Sequence, residues 1–280
     1  MSTAEEAIVD NQAADIVEDV EFVDMAFTKE LRKATKDVHN LTDVLVNAKF
    51  ALALSDDEVW YDGLLAFYEL YKFFETHLPE RLLPKEFYRT AAFERDFDYF
   101  YGSGWRDSYE PRPAVQKYLE HLEKITAQNE LLLFAYSYQM YMALMSGGQM
   151  LQKKRMIARK LWIFSKSDDE EQQKQADKEA EVATAKAADA ALKKDDLEAR
   201  PMPAQIPVLK AKLRRVFNNH YGAFDDDLRA AFIEESRNVF RLNIEVVRTI
   251  KGVNRANLRK LALAVIFVSG IVLAVKFALK

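Results

Sequence analysis

An all-α fold is expected from three features of the chain. Leu64, Phe67, Tyr68, Tyr71 and Phe74 recur at helical spacing, and Phe232, Ser236, Val239, Asn243, Val247 and Ile250 form a second stripe of the same period. Alternating strand patterns and Asn-Gly hairpin turns are absent. Only 8 glycines and 7 prolines occur in 280 residues, too few for a sandwich, a barrel or a dinucleotide-binding domain built on many tight turns. At 49% hydrophobic the chain is not a disordered protein, and it has apolar material for one large domain or two small ones.

Composition also removes several function classes. With 40 basic against 44 acidic side chains, net charge −4, there is no global positive excess to hold a nucleic-acid backbone, so no nucleic-acid partner is expected. The absence of cysteine rules out disulfides, thiolate nucleophiles, cysteine-ligated zinc and iron–sulfur clusters. A metal would have to be held by histidine or carboxylate, or arrive inside a cofactor.

Taken in order, residues 1–24 carry eight acidic side chains and no Lys or Arg, the pattern of a solvated, disordered acidic tail. They are not a signal peptide or mitochondrial presequence, which begin with basic residues. Residues 25–251 read as a single multi-helix domain, interrupted over 165–205 by a low-complexity insert rich in Asp, Glu, Lys, Gln and Ala. A long surface insertion costs little loop entropy, so it need not divide the domain.

Residues 252–280 combine a basic flank (Arg255, Arg259, Lys260) with the uncharged run Leu261–Val275. The stretch 261–279 reaches roughly 28 Å as a helix, close to the hydrocarbon core of a bilayer if Lys276 snorkels. It reads as a tail-anchor transmembrane helix. The alternative, a buried terminal core helix, would show a polar face. The basic flank and the lack of a leader place the bulk of the protein on the cytosolic side.

Three constellations bear on chemistry. Thr28 is a plausible N-cap for a helix on which Arg32, Lys36, His39 and Asp43 fall at i, i+4, i+7 and i+11 and share one face. Two cations beside an imidazole suit an anionic, metal-bearing ligand such as heme, and Asp43 is placed to accept the other ring N–H. The same pattern also suits an ordinary surface helix. In Tyr136–Gln149, the adjacent Gly147 and Gly148 lie inside an apolar helical run, costing about 1 kcal/mol each relative to Ala. A kink, a close helix crossing or a flat ligand against bare backbone would compensate. Finally, Lys210, Lys212, Arg214 and Arg215 form a basic turn that is either a solvated face or the border of a cofactor pocket.

These segments carry a family resemblance. Leu31–His39, Arg89–Trp105, Leu144–Gln149 and Ile233–Asn243 occur in the order and spacing seen in eukaryotic heme oxygenases; the chain resembles that family over roughly 27–247 and looks like an insect member. The resemblance implies His39 as the heme-iron ligand, with Asp43 where the family has a Glu that bonds the imidazole. It places Arg32, Lys36 and Arg215 (preferred to Lys212) at the propionates, Leu144, Ser146, Gly147 and Gly148 on the distal helix, and Tyr138 and Phe240 as pocket walls.

The implied activity is oxidative cleavage of heme, both substrate and cofactor, to biliverdin, carbon monoxide and iron. It would use O2 and electrons from NADPH through NADPH–cytochrome P-450 reductase, with biliverdin reductase downstream, at the endoplasmic reticulum membrane. The chain departs from the family pattern Gly-Asp-Leu-Ser-Gly-Gly: it has Ala143, Leu144 and Met145 before Ser146, and Met140 where the family has Arg. An apolar Leu144 cannot order a proton-delivering water, so turnover is expected to be slow and weakly regioselective. The alternatives are a heme-binding sensor or carrier that has lost turnover, and a membrane-tethered helical adaptor without heme.

Overall fold

The structure, a computed structural model, describes residues 26–50, 53–158, 205–222 and 224–278. The helices are α1 (Ala26–Ala34), α2 (Lys36–Phe50), α3 (Asp57–His77), α4 (Thr90–Tyr101), α5 (Pro113–Gln128), α6 (Glu130–Ala143), α7 (Ile206–Tyr221), α8 (Asp226–Arg248) and α9 (Val253–Ala278). A π-helical turn, Leu144–Gly148, follows α6, and helix resumes over 149–158. Among the described residues there is no strand. The acidic tail and the 165–205 insert lie outside the described residues, apart from Gln205.

Caps at the helix starts follow from local sequence. Asp56 accepts from Val59 N, Asn129 from Leu131 N and Asp225 from Leu228 N, satisfying donors that have no partner within the helix. The first turn of α4 is served from a distance, because Glu75 of α3 accepts from the backbone N–H groups of Arg89 and Thr90. The two apolar stripes face inward: Tyr68, Tyr71 and Phe74 of α3 and Phe232, Ser236, Val239 and Val247 of α8 are buried. Around them α4, α5, α6 and α7 contribute Phe93, Phe97, Tyr118, Phe134, Tyr136 and Phe217 to one core.

The N-terminal pair behaves differently. Phe27 and Leu31 of α1 are buried, and Phe27 stacks on Tyr221 and Phe217 at 3.9 and 5.0 Å. Thr28 is not an N-cap, because it lies inside α1, already helical from Ala26, the first described residue. Regular α-helix is interrupted at Thr35, yet Thr35 N bonds Leu31 O and His39 N bonds Thr35 O, so the register from Arg32 to Asp43 is kept. Beyond that point α2 has no buried side chain. Polar fastenings hold it: Arg237 of α8 grips Asp37 with two bonds of 2.7 Å and reaches Ala34 O, and Lys49 Nζ donates to the carbonyls of Val247 and Arg248.

At the other end, Gly252 takes φ +76° in the short turn between α8 and α9, and Val253 and Ala256 return to the core. From Leu258 onward α9 exposes apolar side chains, among them Leu261, Val265, Ile266 and Val268. Among the described residues no helix is long and apolar enough to cross a membrane. The stretch expected to do so, 261–279, includes side chains at 267, 271–274 and 277–279 that lie outside those described.

Candidate functional site

His39 projects from α2 into open surroundings, with its side chain 55% exposed. Its Nδ1 lies 3.2 Å from Asp43 Oδ2 one turn on. Donation of Nδ1–H to that carboxylate leaves the lone pair on Nε2, the tautomer a metal ligand requires. The Phe240 ring of α8 meets the imidazole at 5.5 Å, nearly edge-on, and limits its rotation from below. Arg32 and Lys36 are exposed on the same face and take part in no ion pair among the described residues.

The glycine pair stands on the π-helical turn Leu144–Gly148. Widened turns of this kind are rare and are frequent at functional sites. A Cβ at Gly147 would meet nothing within 4 Å, and one at Gly148 would meet only Leu144 Cδ1 at 3.7 Å and Ala143 O at 3.9 Å. Neither glycine has a positive φ. A close crossing by another described helix therefore does not account for the pair, which leaves a bare stretch of backbone facing open space. Ser146 is exposed beside it, whereas Met145 is buried and roots the turn in the core.

Helix α8 joins the two halves. Phe240 touches His39, and Asn243, one turn later, accepts from Tyr118 OH and donates to Met140 Sδ at 3.3 Å each. Met140 is in turn one helical turn before Leu144, and its carbonyl accepts from Tyr71 OH. At the far end Lys154 Nζ donates to Asn47 Oδ1 at 2.9 Å, pinning the helix after the glycines to α2. His39 stands eight residues before Asn47 and Gly147 seven before Lys154, so each is about 10–12 Å back along its helix. Between these helices a cavity of about 260 Å³ is lined by Val46, Asn47 and Phe50 on one side and Leu151 and Lys154 on the other. His39 and the glycine turn thus stand on two helices joined by the Lys154–Asn47 bond, with α8 meeting His39 through Phe240 and the turn before the glycines through Asn243.

The two arginines of the basic turn in α7 are placed differently. Arg215 is exposed, and Lys212 pairs with Glu86. Arg214 instead lies against Tyr138: burial pushes that phenol up to about 12, and the Arg214 guanidinium opposes the rise. Tyr138 is buried and stacks on Phe217 at 4.3 Å, so it backs onto α7 rather than onto the imidazole wall.

Comparison with known proteins places this architecture. The chain matches the heme oxygenase family over residues 25–249. It is a member of that family. Human heme oxygenase 1 is 30% identical over 139 residues, covering 45% of this chain and 47% of the human protein. The heme oxygenase of Guillardia theta is 30% identical over 168 residues, covering 54% and 71%. The chain thus spans about half the length of the mammalian relatives it matches. In fold it is similar to heme oxygenase 2 of Chlamydomonas reinhardtii (TM-score 0.60, 22% identity, 80% and 96% covered) and to Synechocystis heme oxygenase-1 in complex with heme (0.59, 21%, 86% and 97%).

For a heme oxygenase, the polar groups behind the glycine turn are turned inward. Tyr71, Tyr118 and Asn243 spend their donors on one another and on the Met140 carbonyl and sulfur. Sequence reasoning does not single out Asn243 as a site residue, though a lone amide in an apolar stripe is a visible signal. It names Arg214 and Arg215 together in one basic turn, and only the helix packing separates them.

Proposed function

We propose that this heme oxygenase family member binds heme in the slot between α2 and the glycine turn and cleaves it to biliverdin, carbon monoxide and iron. The observations that carry the reading are the open space over Gly147 and, on the helix tied to its own by Lys154 and Asn47, a His39 imidazole whose Nδ1 is engaged by Asp43. A planar iron porphyrin needs both: an imidazole lone pair for the metal and close backbone approach on the other side. Bound heme supplies the redox iron and the carbon that is oxidised. His39 Nε2 would hold the metal, Phe240 would fix the ring plane, and Arg32, Lys36 and Arg214 would meet the propionates. Arg215, exposed on the same helix, is the other cation that could meet them.

Electrons would come from NADPH through a flavoprotein reductase, and biliverdin reductase would take the product. The exposed apolar run of α9 supports a tail anchor in the endoplasmic reticulum membrane with the domain facing the cytosol. Met140 and Leu144 offer no hydrogen-bond donor to the slot, which favours slow turnover and mixed biliverdin isomers. The same observation supports a second reading, a heme sensor or carrier that binds without turning over.

The test is to add one equivalent of hemin to the full chain, then NADPH and reductase in air, for wild type and His39→Ala. Loss of the Soret band with growth of a biliverdin band, abolished in the variant, is expected. A stable heme spectrum under the same conditions would establish the carrier reading. No stoichiometric hemin binding would refute both.

A further inference from the structure

The helix that carries His39 ends where α9 packs, and the two are bonded to each other. Because α2 buries no side chain fully and packs only the part-buried Val46 and Phe50 against the core, the apolar packing that fixes most helices holds this one less firmly. The carbonyl of Lys49, in its last turn, accepts from Asn257 Nδ2 at 3.2 Å. The Lys49 ammonium donates to Val247 O and Arg248 O at the end of α8, at 2.7 and 2.9 Å. One residue of α2 thus gathers the ends of two other helices, satisfying carbonyls that have no partner within their own helix. Asn257 Oδ1 is buried with no partner among the described residues, so the amide is held in place by its donor alone.

The start of α9 is seated firmly enough to act as a fixed point. Only residues 249–252 separate it from α8, and Gly252 makes the turn with φ +76°. A Cβ at Gly252 would lie 3.3 Å from Val59 Cγ2, so the turn is pressed against α3. Lys251 N donates to Asp62 Oδ2 at 2.7 Å, Arg259 pairs with Asp56 at 3.1 Å, and Lys260 bonds Ser55 Oγ. No flexible spacer intervenes between the slot and the exposed apolar part of α9.

We infer that the first two turns of α9 form a clasp that positions α2, with Asn257 and Lys49 as its positioning residues. The clasp makes the C-terminal helix and the His39 wall one mechanical unit. Its bearing on heme rests on the function proposed above; the clasp itself does not.

Hydrogen exchange read by mass spectrometry on the full chain in detergent micelles, without hemin, tests it. Asn257→Leu keeps the size and removes the donor. Exchange over residues 43–50 is expected to quicken about fivefold, the factor for one ordinary hydrogen bond, with α3 and α5 unchanged. Arg259→Gln, which loosens α9 from α3 only, is expected to leave residues 43–50 unaffected. Unchanged exchange in α2, a uniform rise through the domain, or an equal effect from Arg259→Gln would each overturn the clasp. Hemin dissociation from Asn257→Leu should then be about fivefold faster than from wild type. An unchanged rate despite faster exchange would defeat the positioning of His39. A wild-type chain that binds no hemin would defeat the functional reading while leaving the exchange result in force.

Discussion

Leu144 is the residue on which the proposed slow turnover chiefly rests. It is half-buried on the π-helical turn, with Cδ1 3.7 Å from where a Gly148 Cβ would stand, so it lies along the bare backbone that faces the slot. One turn back, Asn243 and Tyr71 are already committed to Met140. Leu144→Asp should supply a carboxylate able to order a water there. Biliverdin formation is expected to rise by about tenfold or more, in line with the smaller effects of positioned proton donors, and the isomer mixture to narrow. Single-turnover spectra and chromatography of the product check this; an unchanged rate and ratio would remove Leu144 from the account. His39 and Asp43 were legible because their spacing is local to one helix. Arg214 was not, since which of two adjacent arginines turns inward depends on how α7 rolls against Tyr138.

The helix that presents His39 is fastened by charges as well as by the part-buried Val46 and Phe50. Asp37 is the chief example: its bond to Arg237 holds the carboxyl at about 2, below its ordinary 3.8. A depressed folded-state value means that the pairing stabilises fully above the unfolded value and is lost as pH falls through the folded one. Asp37→Asn should therefore lower the urea midpoint relative to wild type by a constant, small amount above pH 5. The gap should close between about pH 4 and pH 2. Urea titrations at pH 7 and pH 3 measure it, and a gap that does not depend on pH would show that the ion pair is not the fastening. Periodicity revealed α3 and α8 because they bury one face. It revealed nothing of how α2 is held, because a helix without a buried face has no packing signal in its pattern.

Across the molecule, both helices that would flank a bound heme carry apolar side chains in contact with water: Leu41, Val44 and Leu45 on α2, and Met150 and Ile157 beyond the glycines. A ligand that covered them would stabilise the fold by mass action as well as by burial. Hemin at about a hundredfold excess over its dissociation constant should add about 2.7 kcal/mol, raising Tm by several degrees. His39→Ala should lose much of that gain. Calorimetry with and without hemin decides it: no shift in wild type would argue that the slot is not the binding site.

The chain's own pattern determined the helical class, the two core stripes, His39 with Asp43, and the glycine pair, because each depends on neighbours within a turn or two along one helix. Packing decided the rest. Asn243 meets Met140 across 103 residues and Asn257 meets Lys49 across 208, and no local spacing encodes such partners. Whether Gly147 serves a close crossing or an open slot was likewise undecidable from two letters in a row. It became decidable only when the surrounding helices took their places and left nothing within 4 Å of its missing side chain.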